Sequence, residues 1–469
     1  MTIDILPEDV LLEIFDFYVD PTRKCNYNEV ENWCTLVHVC RKWRTIVLES
    51  PLRLDLRIHC HPECPMEEKL DIWPTLPIVI EQYSRDWDPE WSVDNLAAAL
   101  EQTNRICHIG LWGGVPAALM EGFLTAMDKP LPVLTSLYLE SESTENETGL
   151  PTPVDPDLFL GGSAPSLRSL TLVYIPFPGL PKLLSTTSQL TDLQLYNIFY
   201  SGYISPEVIV ACVLALTRLE TFILSFHSPS SFPNIEHRPP PPPTRALLSA
   251  LTSFNFQGVS AYLEDLVVRI DTPLLDKLGI TFFHEFINTT QLIQFIDRLP
   301  KLKIQNEAHV DFKSSEVHLT FGQEYKKGLD ILYEVEDWHV SSVAQVCALS
   351  LSRDFSATVE SLHIWKHRSS SVYGDIEAEN NHWLELLRPF TSVKSLYLSP
   401  SIVTCIAPVL QELVEERVAG VLPALQTLFL GNLNNLSGPD LEAIGSFVSG
   451  RHFSGHPVAV SEWEGIWFD

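Results

Sequence analysis

The chain is poor in charge, and what charge it has is one-sided. Charged residues make up 19% of the 469, with 31 Lys and Arg against 60 Asp and Glu, for a formal net charge of −29. A surface so short of basic groups repels phosphate backbones and anionic headgroups, which excludes nucleic acid and membrane surfaces as first partners. Long apolar runs are missing too. The longest, Val208–Leu216 (VIVACVLAL), is half of the ~20 residues that a membrane-spanning helix needs. The opening MTIDILPEDV carries acids where a secretion signal carries positive charge. Without export, Asn146, Asn288 and Asn435 match the glycosylation pattern by chance. The nine cysteines are odd in number and scattered, which reads as reduced thiols in the cytosol or nucleus.

Catalytic motifs are absent as well. No Gly-rich phosphate loop with its Lys, no nucleophile elbow and no helical HExxH pair occurs. His59-Cys60-His61 with Cys64 is the one cluster of metal-like residue types. Ligands packed that tightly do not converge on one tetrahedral ion, and no second pair follows at finger spacing. Neighbouring Pro62 and Pro65 mark it as a connector. Arg41, Lys42 and Arg44 lie near Cys40, but its place in an apolar pattern makes it a packing residue rather than a reactive thiol. The expectation is a non-enzymatic protein with no metal and no cofactor.

What the chain has is 45% hydrophobic residues and a length beyond one ordinary core, which points to two domains or a repeat array. Its first stretch stands apart. Pro7 suits the first turn of a helix, Glu8 and Asp9 complement the positive end of its dipole, and Val10, Leu11, Ile14, Phe15 and Tyr18 follow at helical spacing. Asp20-Pro21 stops that helix. A second pattern runs through Trp33, Leu36, Val37, Cys40, Trp43, Ile46 and Val47 and closes at Ser50-Pro51. A module this small needs a partner or the rest of the chain to complete its core.

Leu6-Pro7-Glu8-Asp9-Val10-Leu11-Leu12-Glu13-Ile14-Phe15, followed by Leu36-Val37-His38-Val39-Cys40-Arg41-Lys42-Trp43-Arg44, resembles the F-box. The resemblance implies a three-helix module over residues 1–57 that docks onto a Skp-type adaptor, which tethers it to a cullin scaffold in a ubiquitin ligase. Carried over residue by residue, adaptor contact falls on Leu6, Pro7, Leu11, Ile14, Val39, Cys40 and Trp43. Two departures stand out: the link Val19–Asn32 is long, and Leu52 replaces a tryptophan that often follows the Ser-Pro. The alternative is an amphipathic helical hairpin that caps the next domain.

Beyond residue 100 a signature recurs: apolar, two residues, apolar, one residue, apolar. It reads Ile106-Ile109-Leu111, Leu134-Leu137-Leu139, Leu167-Leu170-Leu172, Leu190-Leu193-Leu195, Leu219-Phe222-Leu224 and Leu251-Phe254-Phe256. It returns at Val359-Leu362-Ile364, Val393-Leu396-Leu398 and Leu425-Leu428-Leu430. The steps run 28, 33, 23, 29 and 32 residues, then 34 and 32, against about 20–29 for leucine-rich repeats. The last two apolar positions share one side of a strand, and a returning segment must cover that side. Pro206–Thr217, His382–Arg388, Val403–Val418 and Pro439–Val448 read as such helices. The pattern resembles a degenerate leucine-rich-repeat array, an irregular α/β solenoid with residues 58–105 as connector and start and 106–469 as the array. The fixed asparagine of that family is missing, though Asn197 and Asn432 come close. Ordinary core strands of an α/β domain are the alternative.

Three stretches break the rhythm. Residues 228–244 hold five consecutive prolines, Pro239–Pro243, and read as an exposed polyproline loop. Leu263-Leu266-Val268 and Leu275-Leu278-Ile280 suggest two strands with no helix between them. His309–Phe312 and Glu316–Phe321 alternate like an irregular hairpin. Glu140–Thr148 is an acidic loop, by default a solvated one. His284, Glu285, Trp338, His339, Trp365 and His367 fall near strand ends, where residues of an array either display a binding surface or pack its core, and the sequence does not separate the two. Trp463, Trp467 and Phe468 are expected to cap the last repeat.

The functional expectation is the substrate-recognition subunit of a Skp–cullin–F-box ubiquitin ligase, with the array holding a protein target. Its rivals are an interaction scaffold outside any ligase, and a hydrolase or ligand-binding α/β protein.

Overall fold

The computed structural model describes all residues except 1–5, 20–31, 52, 55, 61–65, 73–74, 84–92, 144–154, 156–158, 234–243, 284–289, 303–305, 314–315, 324–326, 335–343, 345–357, 367–379, 413–420, 433–435 and 464–469. The chain forms two compact units, Met1–Leu190 and Thr191–Asp469.

The first unit opens with helices α1 (Glu8–Val19), α2 (Asn32–Val39) and α3 (Arg41–Glu49). The long link between α1 and α2 lies outside the described residues. Strands β1 (Ile58–Cys60), β2 (Ile78–Tyr83), β3 (Ile106–Val115), β4 (Ser136–Ser141) and β5 (Ser169–Val173) follow, every neighbouring pair parallel. Helices α4 (Met66–Ile72), α5 (Val93–Glu101), α6 (Ala117–Ala126) and α7 (Leu180–Leu184) fall between or after the strands. The sheet therefore starts at Ile58, within the stretch read as a connector.

The second unit holds a sheet in the order β6 (Asp192–Ile198), β7 (Thr221–Phe226), β9 (Ser253–Gly258), β11 (Lys277–Phe282), β14 (Lys327–Glu334), β13 (Glu316–Gln323), β12 (Glu307–Phe312), β15 (Ser361–Lys366), β16 (Ser395–Leu398), β17 (Thr427–Gly431) and β18 (Ala459–Trp463). A small parallel pair, β8 (Ala246–Leu247) with β10 (Ile270–Asp271), stands apart. Returning helices are α8 (Pro206–Leu214), α9 (Ser260–Val267), α10 (Thr290–Asp297), α11 (Asn380–Leu387), α12 (Pro400–Glu412) and α13 (Gly438–Phe453). The four helices read from sequence overlap α8, α11, α12 and α13, with residues 413–418 of the third lying outside the described residues.

Every recurrence of the signature lies on a strand or at the turn into one. In β4, β9 and β11 burial alternates strictly along the strand, and the paired apolar residues, such as Leu137 and Leu139, have no exposed surface. Each buried leucine side chain contributes roughly 1.5–3 kcal/mol relative to its exposed state. The first apolar residue closes a tight turn: Leu134 N–H donates to Leu131 O, Leu167 to Ala164, Leu219 to Leu216 and Leu425 to Leu422. Past the signature, Gly113, Tyr174, Asn197 and Asn432 all adopt positive φ, between 49° and 82°. Each lies two residues past the last apolar position, so Asn197 and Asn432 occupy a recurrent left-handed turn that asparagine tolerates better than most residues.

One reading is overturned. Leu263-Leu266-Val268 is helical, since α9 runs Ser260–Val267 and buries Tyr262, Leu263, Leu266 and Val267. A spacing of three serves a helix face as well as a turn and strand. Leu275-Leu278-Ile280 does enter a strand, β11. The irregular hairpin is the first half of a three-stranded insert. β12–β13 and β13–β14 are antiparallel, and β14 and β12 then pair in parallel with β11 and β15. Two reversals leave β12 and β14 running in the common direction, so the insert joins the sheet without an antiparallel seam at either border.

Candidate partner-binding surfaces

The short helices of the first unit have more apolar surface than they bury. Leu11 and Phe15 of α1 are fully buried against Trp33, Leu36, Val37, Trp43, Ile46 and Val47, and Phe15 meets Trp43 edge to face at 4.8 Å. A second stripe on α1 points away from this core. Val10, Ile14, Phe17 and Tyr18 are exposed, Phe17 by 82%, at the i, i+4, i+7, i+8 spacing of a single helix face. Tyr18 Oη accepts a 3.0 Å hydrogen bond from Thr35 Oγ1 of α2, and Val39, one turn on, is 56% exposed. These residues form one apolar surface across α1 and α2.

The residues singled out by the resemblance divide between core and surface. Pro7, Ile14 and Val39 are exposed, Leu6 and Cys40 half-buried, Leu11 and Trp43 buried. Cys40 is an N-cap: its Sγ accepts from Trp43 N–H at 3.5 Å. Leu6 is tied down by its carbonyl, which accepts from Lys42 Nζ at 2.9 Å. Val10, Phe17 and Tyr18 were not singled out. Their signal was there in a pattern too wide for one stripe on a short helix.

The second unit offers a different surface. Register links carry outward-facing residues from strand to strand: Gln194, Ile223, Asn255, Gly279, Asp330, Thr320, His309, His363, Tyr397, Phe429 and Ser461 stand opposite one another in turn. The face changes character along this row. From His309 to Phe429 it is aromatic, with successive ring centroids 4.5, 4.1 and 4.3 Å apart and planes within 17° of parallel. Trp365 joins this surface, its ring 5.9 Å from that of His363. Trp463 does not cap the apolar end of the core; its indole lies on the open face, 5.2 Å from Trp365 and 5.3 Å from Tyr397. It stands opposite Gly431, which carries no side chain to stop that reach. His284, Glu285, Trp338, His339, His367, Trp467 and Phe468 lie outside the described residues, as do Pro239–Pro243.

From β6 to β13 the same face is mixed and carries an open depression of about 240 Å³, where the polar groups of Asn255, Gln257, Thr281, His318 and Asp330 stand among apolar ones such as Ile223 and Leu332. His318 Nε2 lies 2.7 Å from Asp330 Oδ1, which also accepts from Thr320 Oγ1 at 2.7 Å. Burial opposes a charge on His318, but the hydrogen bond and charge of Asp330 outweigh it and hold the imidazole above its usual pKa. Burial likewise works against ionised Asp330; His318, Thr320 and Lys277 overcome it and hold the carboxyl below its usual value. Each partner therefore favours the charged form of the other.

Other clusters resolve into structural roles. Of the acidic stretch, residues 144–148 lie outside the described residues; Glu140, at the end of β4, accepts at Oε2 from Gly113 N–H and Tyr138 Oη, and Glu142 Oε1 accepts from Ala117 N–H at the start of α6. Cys60 is buried with its thiol donating to Asn95 O at 3.8 Å. His61 and Cys64 lie outside the described residues. Among the described residues no group of His, Cys, Asp or Glu is placed to hold a metal ion. Nor is any described helix long and apolar enough to cross a membrane.

Comparison with known proteins adds one assignment. The F-box-like family model matches residues 3–57, which span α1 to α3. No curated protein matches the chain. Among solved structures, the leucine-rich repeat-containing protein LegL7 from Legionella pneumophila aligns over 84% of this chain and 97% of its own, with 13% identity and a TM-score of 0.28.

Proposed function

We propose that this chain is the substrate receptor of a Skp–cullin–F-box ubiquitin ligase, with the N-terminal helices binding the adaptor and the sheet units holding a protein target. One observation supports this reading above the rest: the F-box-like stretch carries an apolar stripe, Val10, Ile14, Phe17 and Tyr18 with Val39, that its own core does not use. Exposed apolar patches of this kind mark interaction sites. Ile14 and Val39 would touch the adaptor directly together with Pro7, while Leu11, Cys40 and Trp43 would shape the surface from beneath. The receptor supplies no reacting group. Through the adaptor and a cullin it would hold a target lysine near a ubiquitin-loaded enzyme, so the rate gain is one of effective concentration.

The test is co-expression of the full chain with a Skp-type adaptor, beside an Ile14→Glu/Val39→Glu variant. Both positions are exposed, so the variant keeps its fold while a charge enters the apolar patch. A one-to-one complex on gel filtration that the variant loses supports the reading. A folded wild-type chain that forms no complex overturns it.

A further inference from the structure

The depression on the second unit's sheet follows one strand. The outward residues at the middle and end of β11 are Gly279 and Thr281, both small, whereas its neighbours carry Asn255 and Gln257 on β9 and Asp330 and Leu332 on β14. Strands lie ~4.8 Å apart, so the β9 and β14 backbones stand about 9.6 Å apart, with the Asn255 carboxamide leaning inward over Gly279 between them. The result is a trench running lengthwise along β11.

Gly279 leaves the room that Asn255 uses to lean inward. A Cβ at this position would fall 2.3 Å from Asn255 Oδ1, so the Asn255 carboxamide occupies the space that any side chain would take. Asn255 and Gln257 are two residues apart on one strand face, hence about 6.6–6.8 Å apart along it. An extended peptide lying alongside presents its C=O and N–H groups on one side at that same repeat. A carboxamide offers one acceptor and a pair of donors, the complement of a peptide unit. Gln257 Oε1 already accepts from Ser225 Oγ at 2.8 Å, which fixes the orientation of that amide.

The charge of the trench narrows its occupant. His318 and Asp330 are paired with each other across 2.7 Å, and the other polar side chains lining it, including Tyr196, Ser225 and Thr281, are uncharged. Lys277, two residues before Gly279 on the same strand face, lies at one end of the trench and already acts on Asp330; over Gly279 and Thr281 the lining offers a charged side chain no counter-charge beyond the His318–Asp330 pair, and desolvating it there is costly. Small uncharged residues avoid that cost.

We propose that the trench over β11 holds an extended, uncharged stretch of a target polypeptide, read through its backbone by Asn255 and Gln257. This deepens the receptor reading by naming the form of the target, and it is tested without the adaptor. A displayed library of random 12-residue peptides is panned on the full chain, with Gly279→Val as the counter-selection. Enriched peptides are then titrated by fluorescence anisotropy, with and without N-methylation at alternate residues. The expected result is at least a tenfold loss of affinity in Gly279→Val, in Asn255→Ala/Gln257→Ala, and on methylation of one alternating set but not the other. No enrichment over Gly279→Val, or affinity indifferent to methylation, overturns the proposal. Asn255→Ala/Gln257→Ala alters only partly exposed side chains, so it carries the test if Gly279→Val does not fold. Adaptor binding in the same variants stays unchanged, so loss of the trench and loss of the receptor reading are separate outcomes.

Discussion

His363 and Tyr397 face one another across β15 and β16 with ring centroids 4.1 Å apart and planes 5° from parallel. The stack continues to His309 on one side and to Phe429 on the other. His363 is neutral within it: burial, helped by nearby His309, pulls its pKa down to about 3. Its Nδ1 is buried with no hydrogen-bond partner among the described residues.

Acid sensitivity follows from that histidine. In the unfolded chain the imidazole titrates near its ordinary 6.5, and in the folded chain near 3. The unfolded state therefore binds the extra proton between these values, and stability falls as pH drops below about 6.5. His108, lowered to about 4 by burial with Arg57 and His59, adds to the same limb in the first unit. His363→Phe keeps the stack and removes the titration. Scanning calorimetry from pH 7.5 to 4.5 is expected to show a smaller fall in Tm for the variant; parallel curves would refute the assignment.

Glu264 holds the start of α10. It is 7% exposed, and its Oε1 and Oε2 accept from Leu292 N–H and Gln291 N–H, each at 2.8 Å. Those are two of the donors that a helix N-terminus leaves without an intrahelical partner. Glu264→Ala strips both and is expected to cost about 2–3 kcal/mol. Glu264→Gln retains an acceptor and costs less. Amide exchange in α10 is the local readout, and protection unchanged in Glu264→Ala would contradict the role.

The strand units were legible because a buried strand face fixes two apolar positions and a turn fixes the third. Ile106-Ile109-Leu111 and its successors needed nothing from distant sequence. Leu263-Leu266-Val268 met the same spacing on a helix, where three residues also return to one face. The trench was not legible, because its parts lie on different strands: Gly279, Asn255 and Asp330 become neighbours only through register. Trp463 was read as a cap for a similar reason. Its reach across Gly431 depends on a partner strand. In the N-terminal helices the apolar spacing was visible, but its division into a buried stripe at Leu11 and Phe15 and an exposed one at Val10 and Ile14 required the packing of α2 and α3.

Asn197 illustrates a local rule that survives in a degenerate repeat. Its φ of 55° places it in the left-handed region directly after the β6 signature. Asn197→Ala is expected to cost about 1 kcal/mol, since alanine lacks the local compensation that asparagine brings. Asn197→Gly should be close to neutral, because glycine enters that region without a Cβ clash. Equal losses for the two variants in thermal unfolding would place the contribution in the side chain rather than in the backbone.

The His318–Asp330 pair responds to pH in the sense opposite to His363. Burial and Lys313 act against protonation of His318, but the hydrogen bond and charge of Asp330, with Asp311 behind it, raise its pKa above 6.5. A group raised on folding contributes stability that is complete below its unfolded value and lost as pH rises through the folded one. Asp330, lowered below 3.8 by His318, Thr320 and Lys277 despite its burial, keeps its contribution until strong acid. The pair thus weakens as pH rises above about 6.5, while His363 weakens the same unit as pH falls below it. NMR titration of His318 should give a pKa above 6.5 in the wild type and a lower one in Asp330→Asn. In Asp330→Asn the trench wall loses its carboxylate and leaves a histidine that is neutral at pH 7.5, so an uncharged peptide bound over Gly279 should be retained within about threefold. A loss as large as that of Asn255→Ala/Gln257→Ala would mean that the occupant is held by the charged wall and not by the carboxamides.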